Sequence, residues 1–210
     1  MDEEKNIAVF GGTGEIGSAF VRYYQKKEAI SNIFSFSRSK MSFLSHNITT
    51  FYFDITNESS IKESLAAVHS NMVFDLVVIC TGLLHDSGLT PEKTILDCES
   101  QSMQHVFNVN VIGPLLIAKY VLPFMNQKKK SIFAFISARV GSIQDNRLGG
   151  WYSYRASKAA LNMGIKTLSI ESKKRYPKTV ILGLHPGTVQ SSLSSPYLSQ
   201  AKRVFTADES

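Results

Sequence analysis

The sequence predicts an α/β domain: one doubly wound parallel sheet with helices on both faces, spanning residues 1–210 as a single unit. Three observations predict it. Short apolar runs of strand length, among them Asn6–Phe10, Phe74–Cys80 and Ser131–Ser137, alternate with longer stretches of helical period. The middle runs are nearly continuously apolar, as central strands covered on both faces require. The first run is followed at once by Gly11-Gly12-Thr13-Gly14-Glu15-Ile16-Gly17, a glycine turn that opens a helix.

Bulk properties narrow the class. A chain of 210 residues, 43% hydrophobic and 19% charged, buries a sizeable core and is not a disordered composition. The net charge of +6 is spread along the chain except for Lys128-Lys129-Lys130 and Lys173-Lys174-Arg175, each near an expected helix C-terminus, where cations suit the dipole. That disposition argues against a nucleic-acid surface and for a mild attraction of anionic ligands. Cys80 and Cys98 make neither a disulfide framework nor a metal cluster, so no metal is expected. The longest apolar stretch, Val109 to Met125, is interrupted by Asn110, Gly113, Pro114, Lys119 and Pro123, which argues against a membrane span. The acidic start Met1–Asn6 runs directly into the first strand and reads as neither a secretory signal nor a transit peptide, so a cytoplasmic location is expected.

Taken in order, Asn6–Phe10 is the first strand and Ser18–Lys27 the helix behind the glycine turn. Glycines 11, 14 and 17 are expected to permit positive φ, close approach of backbone N–H groups to a phosphate, and tight packing of helix on strand. The second strand, Ile33–Phe36, ends at Ser37-Arg38-Ser39-Lys40, where an acidic residue would hold the ribose hydroxyls of NAD. Arg38 and the serines beside it suit a 2′-phosphate instead, so NADP(H) is favoured over NAD(H). Thr50–Phe53 reads as the third strand. Asp54 after it fits either an adenine contact or the cap of a helix over Ile61–Ala67, a role for which Ser59 and Ser60 compete. Phe74–Cys80 is the central strand, closed by Thr81 and Gly82. Helical period runs from Ile95 to Gln127, with Gly113-Pro114 expected to kink it and Asn110 buried inside it as an amide that needs partners. Ser131–Ser137 is the fifth strand, Trp151–Lys174 the next helix, Lys178–Leu184 the sixth strand, and His185–Ser191 a loop leaving it. His85 reads as a rim residue and His185 as a packed or backbone-bonded histidine. Thr206-Ala207-Asp208-Glu209 reads as a capping box.

The chemistry concentrates on Tyr154 and Lys158. At i and i+4 they share one helix face, so a charged Lys158 is expected to favour ionised Tyr154 and to lower a pKa that starts near ~10.

Together these residues resemble the short-chain dehydrogenase/reductase family over essentially the whole chain. The resemblance is carried by the Gly11–Gly17 turn, Asp54, Thr81-Gly82, Val109-Asn110-Val111-Ile112-Gly113-Pro114, Tyr154 with Lys158, and Pro186-Gly187-Thr188-Val189. Ile136–Asn146 and Gly149–Lys158 are similar to its C-factor branch, whose members are described as cell-signalling proteins or carbonyl reductases. The resemblance implies a Rossmann-type domain that binds the cofactor through Gly11, Thr13, Gly14, Glu15, Ile16, Gly17, Ser37, Arg38, Asp54, Ile55, Thr81, Gly82, Tyr154, Lys158 and Pro186 to Val189. It implies reduction of a small aldehyde or ketone, or the reverse oxidation of an alcohol, with Tyr154 as proton donor, Lys158 as its modulator and Asn110 holding a relay water. It also implies a homodimer or homotetramer. The pattern departs at Ala138, where the family carries a substrate-binding serine, leaving Ser137 or Ser142 to supply that hydroxyl. It departs at Glu15, where glycine is common and an acid must turn to solvent, and at Cys80-Thr81-Gly82 in place of Asn-Ala-Gly. No counterpart of the family's last strand and helix precedes Ser210. The alternative implied by Ala138 and the branch is a cofactor-binding signalling protein with weak catalysis or none.

Overall fold

The computed structural model describes residues 5–39, 45–68, 72–200 and 203–210. Six parallel strands form the main sheet in the order β3-β2-β1-β4-β5-β6: β1 Lys5–Phe10, β2 Ile30–Ser37, β3 Ile48–Tyr52, β4 Leu76–Ile79, β5 Ser131–Ile136 and β6 Thr179–Leu184. Strand order reverses between β1 and β4, whose register pairs Phe10 with Ile79. In a sheet of this kind ligands bind in the crevice beyond the strand ends at that reversal.

The sequence explains why these runs are strands. Ala8, Val9 and Phe10 are fully buried, as are Val77 and Val78 of β4, so both faces of the central strands are covered. On one face Phe10 and Phe36, register partners across β1 and β2, stack with ring centroids 4.3 Å apart, and Phe53 closes edge-on at 5.4 Å. Ile61 and Leu65 of α2 (Glu58–Ala66), Ile117 and Val121 of α4 (Gly113–Val121), and Leu161 and Ile165 of α5 (Tyr152–Arg175) complete this larger core. The smaller core on the opposite face joins Ile7, Val9 and Ile33 to Val21 of α1 (Glu15–Gln25).

Several boundaries differ from expectation for local reasons. The cap of α2 is Asn57, whose side chain accepts from the N–H groups of Ser59 and Ser60. Asp54 is not the cap; its Oδ1 accepts from the N–H of Thr56 at 2.9 Å. The segment expected as one kinked helix over 95–127 is a succession: a 3₁₀ turn at Ile95–Asp97, α3 at Ser100–Phe107, a π turn at Asn108–Ile112, α4, and a 3₁₀ turn at Leu122–Phe124. The helix changes type at the π turn, an irregularity that recurs at functional sites. By length and composition Ser100–Phe124 is apolar enough to cross a membrane, but 50% of its most apolar window is buried within the fold, as in a core helix. The loop after β6 carries an element the sequence reading missed: β7, Thr188–Val189, pairs in parallel with β8, Val204–Phe205. The Thr206 box is present in part, with Glu209 accepting from the Thr206 N–H at 2.9 Å.

Candidate active site

The glycine turn lies at the β1–β4 reversal. Gly11 has φ +85°, and a Cβ on Gly17 would come within 2.1 Å of the Gly11 carbonyl oxygen, so both positions need glycine. Gly14 does not share the positive φ expected of it. It stands extended and exposed at the N-cap of α1, where a Cβ would meet only the Gly11 carbonyl oxygen, at 3.5 Å. The first amides of α1 therefore face outward past a bare backbone, which is the arrangement that accepts a phosphate. Thr13 and Ile16 are half-buried in the same turn. Glu15 is exposed yet not free in solvent, because its Oε1 accepts from the Ser192 N–H at 2.7 Å, tying the segment after β7 to the start of α1. Burial raises the pKa of this carboxyl, but the bonds from Ser192 outweigh it and the net value lies below the ordinary one.

Two neighbouring strand ends face the turn. The N–H groups of Gly11 and Gly12 donate to Phe36 O at 2.8 and 3.3 Å, which brings the tip of β2 alongside. There Ser37 is buried and donates to Ser39 O at 2.7 Å, while Arg38 is exposed; Lys40 lies outside the described residues. At the end of β4, a Cβ on Gly11 would lie 3.1 Å from Thr81 Cγ2, and the Thr81 Oγ1 is buried without a partner. One strand further out, Asp54 is half-buried, and Ile55 packs so closely on Gly113 that a Cβ there would approach Ile55 Cγ1 to 2.2 Å. An open glycine cradle, an orphaned hydroxyl and an exposed arginine at adjacent strand ends fit a phosphorylated dinucleotide.

Tyr154 and Lys158 stand on the first turns of α5, and both are buried. The Lys158 ammonium donates to Ile136 O at 3.1 Å and lies 5.8 Å from the Tyr154 ring centroid. Among the described residues no carboxylate pairs with it. The expected lowering of the tyrosine's pKa is corrected here. Burial pushes Tyr154 up to about 12 and Lys158 down to about 8, because desolvation disfavours the charged form of each. The spacing that brings the two side chains together also removes both from water.

Asn110, fully buried on the π turn, clamps the loop after β4. Its Oδ1 accepts from the Leu83 N–H at 2.8 Å, and its Nδ2 donates to Leu83 O at 2.8 Å and to Ser157 Oγ at 3.0 Å. A Cβ on Gly82 would sit 3.7 Å from Lys158 Nζ and 3.8 Å from Asn110 Oδ1, so Gly82 leaves the space these two groups share.

Ser137 is corrected as a donor facing Tyr154. Its hydroxyl donates instead to Asn162 Oδ1 at 2.6 Å, on the next turn of α5. Ser142 lines a shallow groove with Ala156 and Ala159, about 140–200° around the helix from Tyr154. Neither serine replaces the hydroxyl missing at Ala138. Near β7, Gly187 has φ +77° and lies against the Phe205 ring, where a Cβ would approach to 2.8 Å, while Pro186 and Thr188 are half-buried and Val189 buried. His185 is exposed, contrary to the packed role expected of it.

Sequence reasoning missed Glu92. This buried carboxylate reaches from the loop after Gly82 to the start of α5, accepting from the Ser153 N–H at 3.2 Å and from the Ser153 hydroxyl. An acid in the exposed-looking run Leu89-Thr90-Pro91-Glu92-Lys93 gives no signal that it caps a distant helix. Glu92→Ala should cost about 2–3 kcal/mol in urea unfolding, because two buried donors lose a charged acceptor, whereas Glu92→Gln should cost less than half of that.

Comparison with known proteins gives the family of the chain. A family model described as short chain dehydrogenase matches residues 5–202. The C-signal of Myxococcus xanthus is 35% identical over 123 residues, covering 56% of this chain and 73% of that protein. The 1-hydroxy-2-glutathionyl-2-methyl-3-butene dehydrogenase of a Rhodococcus strain is 31% identical over 144 residues, 69% of this chain and 60% of the relative's length. An NADPH-bound carbonyl reductase from chicken fatty liver superposes with a TM-score of 0.86 at 24% identity, covering all of this chain and 84% of that one. With a cradle at the sheet's reversal and a buried tyrosine–lysine pair beside it, the chain belongs to the short chain dehydrogenase family of oxidoreductases.

Proposed function

We propose that this chain is an NADP(H)-dependent reductase of small aldehydes or ketones in which Tyr154 gives its proton to the carbonyl oxygen. The observation that carries this reading is the Lys158 ammonium: buried, without a carboxylate partner among the described residues, and held one turn from a buried phenol beside the glycine turn. Isolated buried cations are costly, and a site that retains one uses it. Bound NADPH supplies the hydride in such chemistry. The chain's residues would do the rest. The Gly11–Gly17 turn and the α1 amides would hold the phosphates, and Arg38 the 2′-phosphate. Lys158 would donate to a ribose hydroxyl and set the field around Tyr154, while Asn110 keeps the loop beyond Gly82 clear of both. The relay water on Asn110 belongs to the same reading, although both of its amide protons already have acceptors.

Titration with NADPH and NADH, followed by a panel of aldehydes and ketones, tests the proposal. NADPH should bind more tightly, and Arg38→Ala should weaken NADPH about tenfold or more while leaving NADH unchanged, from the loss of a charge-assisted contact. Tighter binding of NADH would overturn the NADP assignment.

A second reading, a cofactor-binding signalling protein with weak catalysis, is favoured by Ala138 together with the commitment of Ser137 to Asn162. Robust carbonyl-dependent oxidation of NADPH would reject it. A homodimer or homotetramer is proposed through the helical segment of residues 95–127 and α5, where Ile112 of the π turn and Met163 and Ile170 of α5 expose apolar side chains; the mass in solution tests it.

A further inference from the structure

We propose that Trp151, backed by Tyr197 and His85, forms the specificity-determining wall of the substrate site and selects flat, aromatic or conjugated carbonyl compounds over aliphatic ones of the same size. The inference rests on the reductase reading of Tyr154. It begins with the backbone. Gly149, Gly150 and Trp151 follow one another at φ +65°, +61° and +53°, and Trp151 is the one non-glycine residue with positive φ among the described residues. Two glycines take that conformation freely, but a residue with a Cβ does not. The sequence thus places its largest side chain where glycine or asparagine would be easier. Strain of this kind persists only where the surroundings enforce it, and it clusters at functional positions. Here the Trp151 N–H donates to Glu92 O at 2.5 Å, on the same residue whose carboxylate holds Ser153.

The left-handed turn aims the indole at the reacting group. Its ring centroid lies 6.2 Å from that of Tyr154, edge to face at 73°. Tyr197, from the 3₁₀ turn Ser195–Gln200, lies 4.9 Å from the indole at 68°. His85, from the loop after β4, meets Tyr197 at 5.8 Å and 68°, and its Nε2 bonds Leu193 O at 3.1 Å. Three separate segments therefore meet in a run of ring contacts that ends on Tyr154, each contributing an aromatic ring. Trp151, Tyr197 and His85 are half-buried, so part of each ring is open to a ligand. Edge-to-face packing presents both negative faces and positive edges, and a planar π system meets both kinds of surface in a way a saturated ring of the same size cannot. A carbonyl oxygen bonded to Tyr154 puts its own substituent against this wall.

The chain has a single tryptophan, so its fluorescence reports on this residue directly. With 2-naphthol, an aromatic alcohol that needs no turnover to bind, saturable quenching is expected; decahydro-2-naphthol should leave the emission unchanged. In steady state, kcat/KM for benzaldehyde should exceed that for cyclohexanecarbaldehyde about fivefold to tenfold. Trp151→Ala should bring the ratio near one, Trp151→Phe should keep most of it, and NADPH binding should be unaltered in both. Absence of quenching by 2-naphthol, equal quenching by its saturated analogue, or an unchanged ratio in Trp151→Ala would overturn the proposal. If Trp151→Ala does not fold, the two fluorescence titrations decide. Selective quenching without reduction of any carbonyl would reject the reductase reading while the aromatic site stands.

Discussion

Tyr154→Phe is expected to slow carbonyl reduction about 10²–10⁴-fold while leaving NADPH binding and stability unchanged. The substitution removes one oxygen and nothing else. The Tyr154 ring is 9% exposed and keeps its edge contact with Trp151, and its hydroxyl makes no hydrogen bond among the described residues, so no partner is orphaned. The pH dependence of the wild type follows from the two buried groups. With its pKa pushed up to about 12, Tyr154 holds its proton throughout the neutral and mildly alkaline range and is always a competent donor. Lys158, pushed down to about 8, loses its charge as pH rises through that value. Reduction should therefore decline above about pH 8 with the lysine rather than above 10 with the tyrosine. Rates of NADPH oxidation between pH 6 and 10, for both proteins, check both statements. A variant within tenfold of the wild type would remove Tyr154 from the chemistry.

The elements with a period were legible in the sequence, and those defined by contacts across the chain were not. The apolar runs Asn6–Phe10, Phe74–Cys80 and Ser131–Ser137 became strands because burial on both faces accounts for such sequences, and Gly11 and Gly17 could be read because their reasons are steric. Asn110 was marked as a buried amide by its apolar neighbours, but its partners, Leu83 and Ser157, are 27 and 47 residues away. A separation of 61 residues hid Glu92 from Ser153, and the pairing of β7 with β8 rests on only two residues in each strand. For Tyr154 and Lys158 the sequence carried the spacing but not the dielectric. A helical i, i+4 rule describes an exposed pair; here both groups are buried, and burial reverses the expected sign on the tyrosine. Ser137, expected as one of two candidates for the missing hydroxyl, donates instead to Asn162, 25 residues away, a partner that no local pattern names.

Lys158→Met should abolish activity and change how stability depends on pH. In the wild type the fold lowers this group from 10.5 to about 8, so burying the charge costs on the order of 3 kcal/mol at neutral pH. Between about pH 8 and 10.5 the unfolded chain holds the proton that the folded chain has released, so folding becomes more favourable as pH rises through that window. Methionine has no proton to lose and fills much of the same volume, and the rise should be missing from the variant. The offset at pH 7 is less informative, because Ile136 O loses the donor now 3.1 Å away, and an unsatisfied buried carbonyl costs about 1–3 kcal/mol. The difference between wild type and variant as a function of pH is the cleaner quantity. Tyr154 is present in both proteins, so its own destabilising release of a proton from pH 10 upward largely cancels. Urea unfolding at intervals from pH 7 to 9.5 should show the wild type gaining on Lys158→Met by about 2 kcal/mol. Parallel curves would mean that the ammonium titrates in the fold as it does in water, and that its burial beside Tyr154 is relieved by solvent.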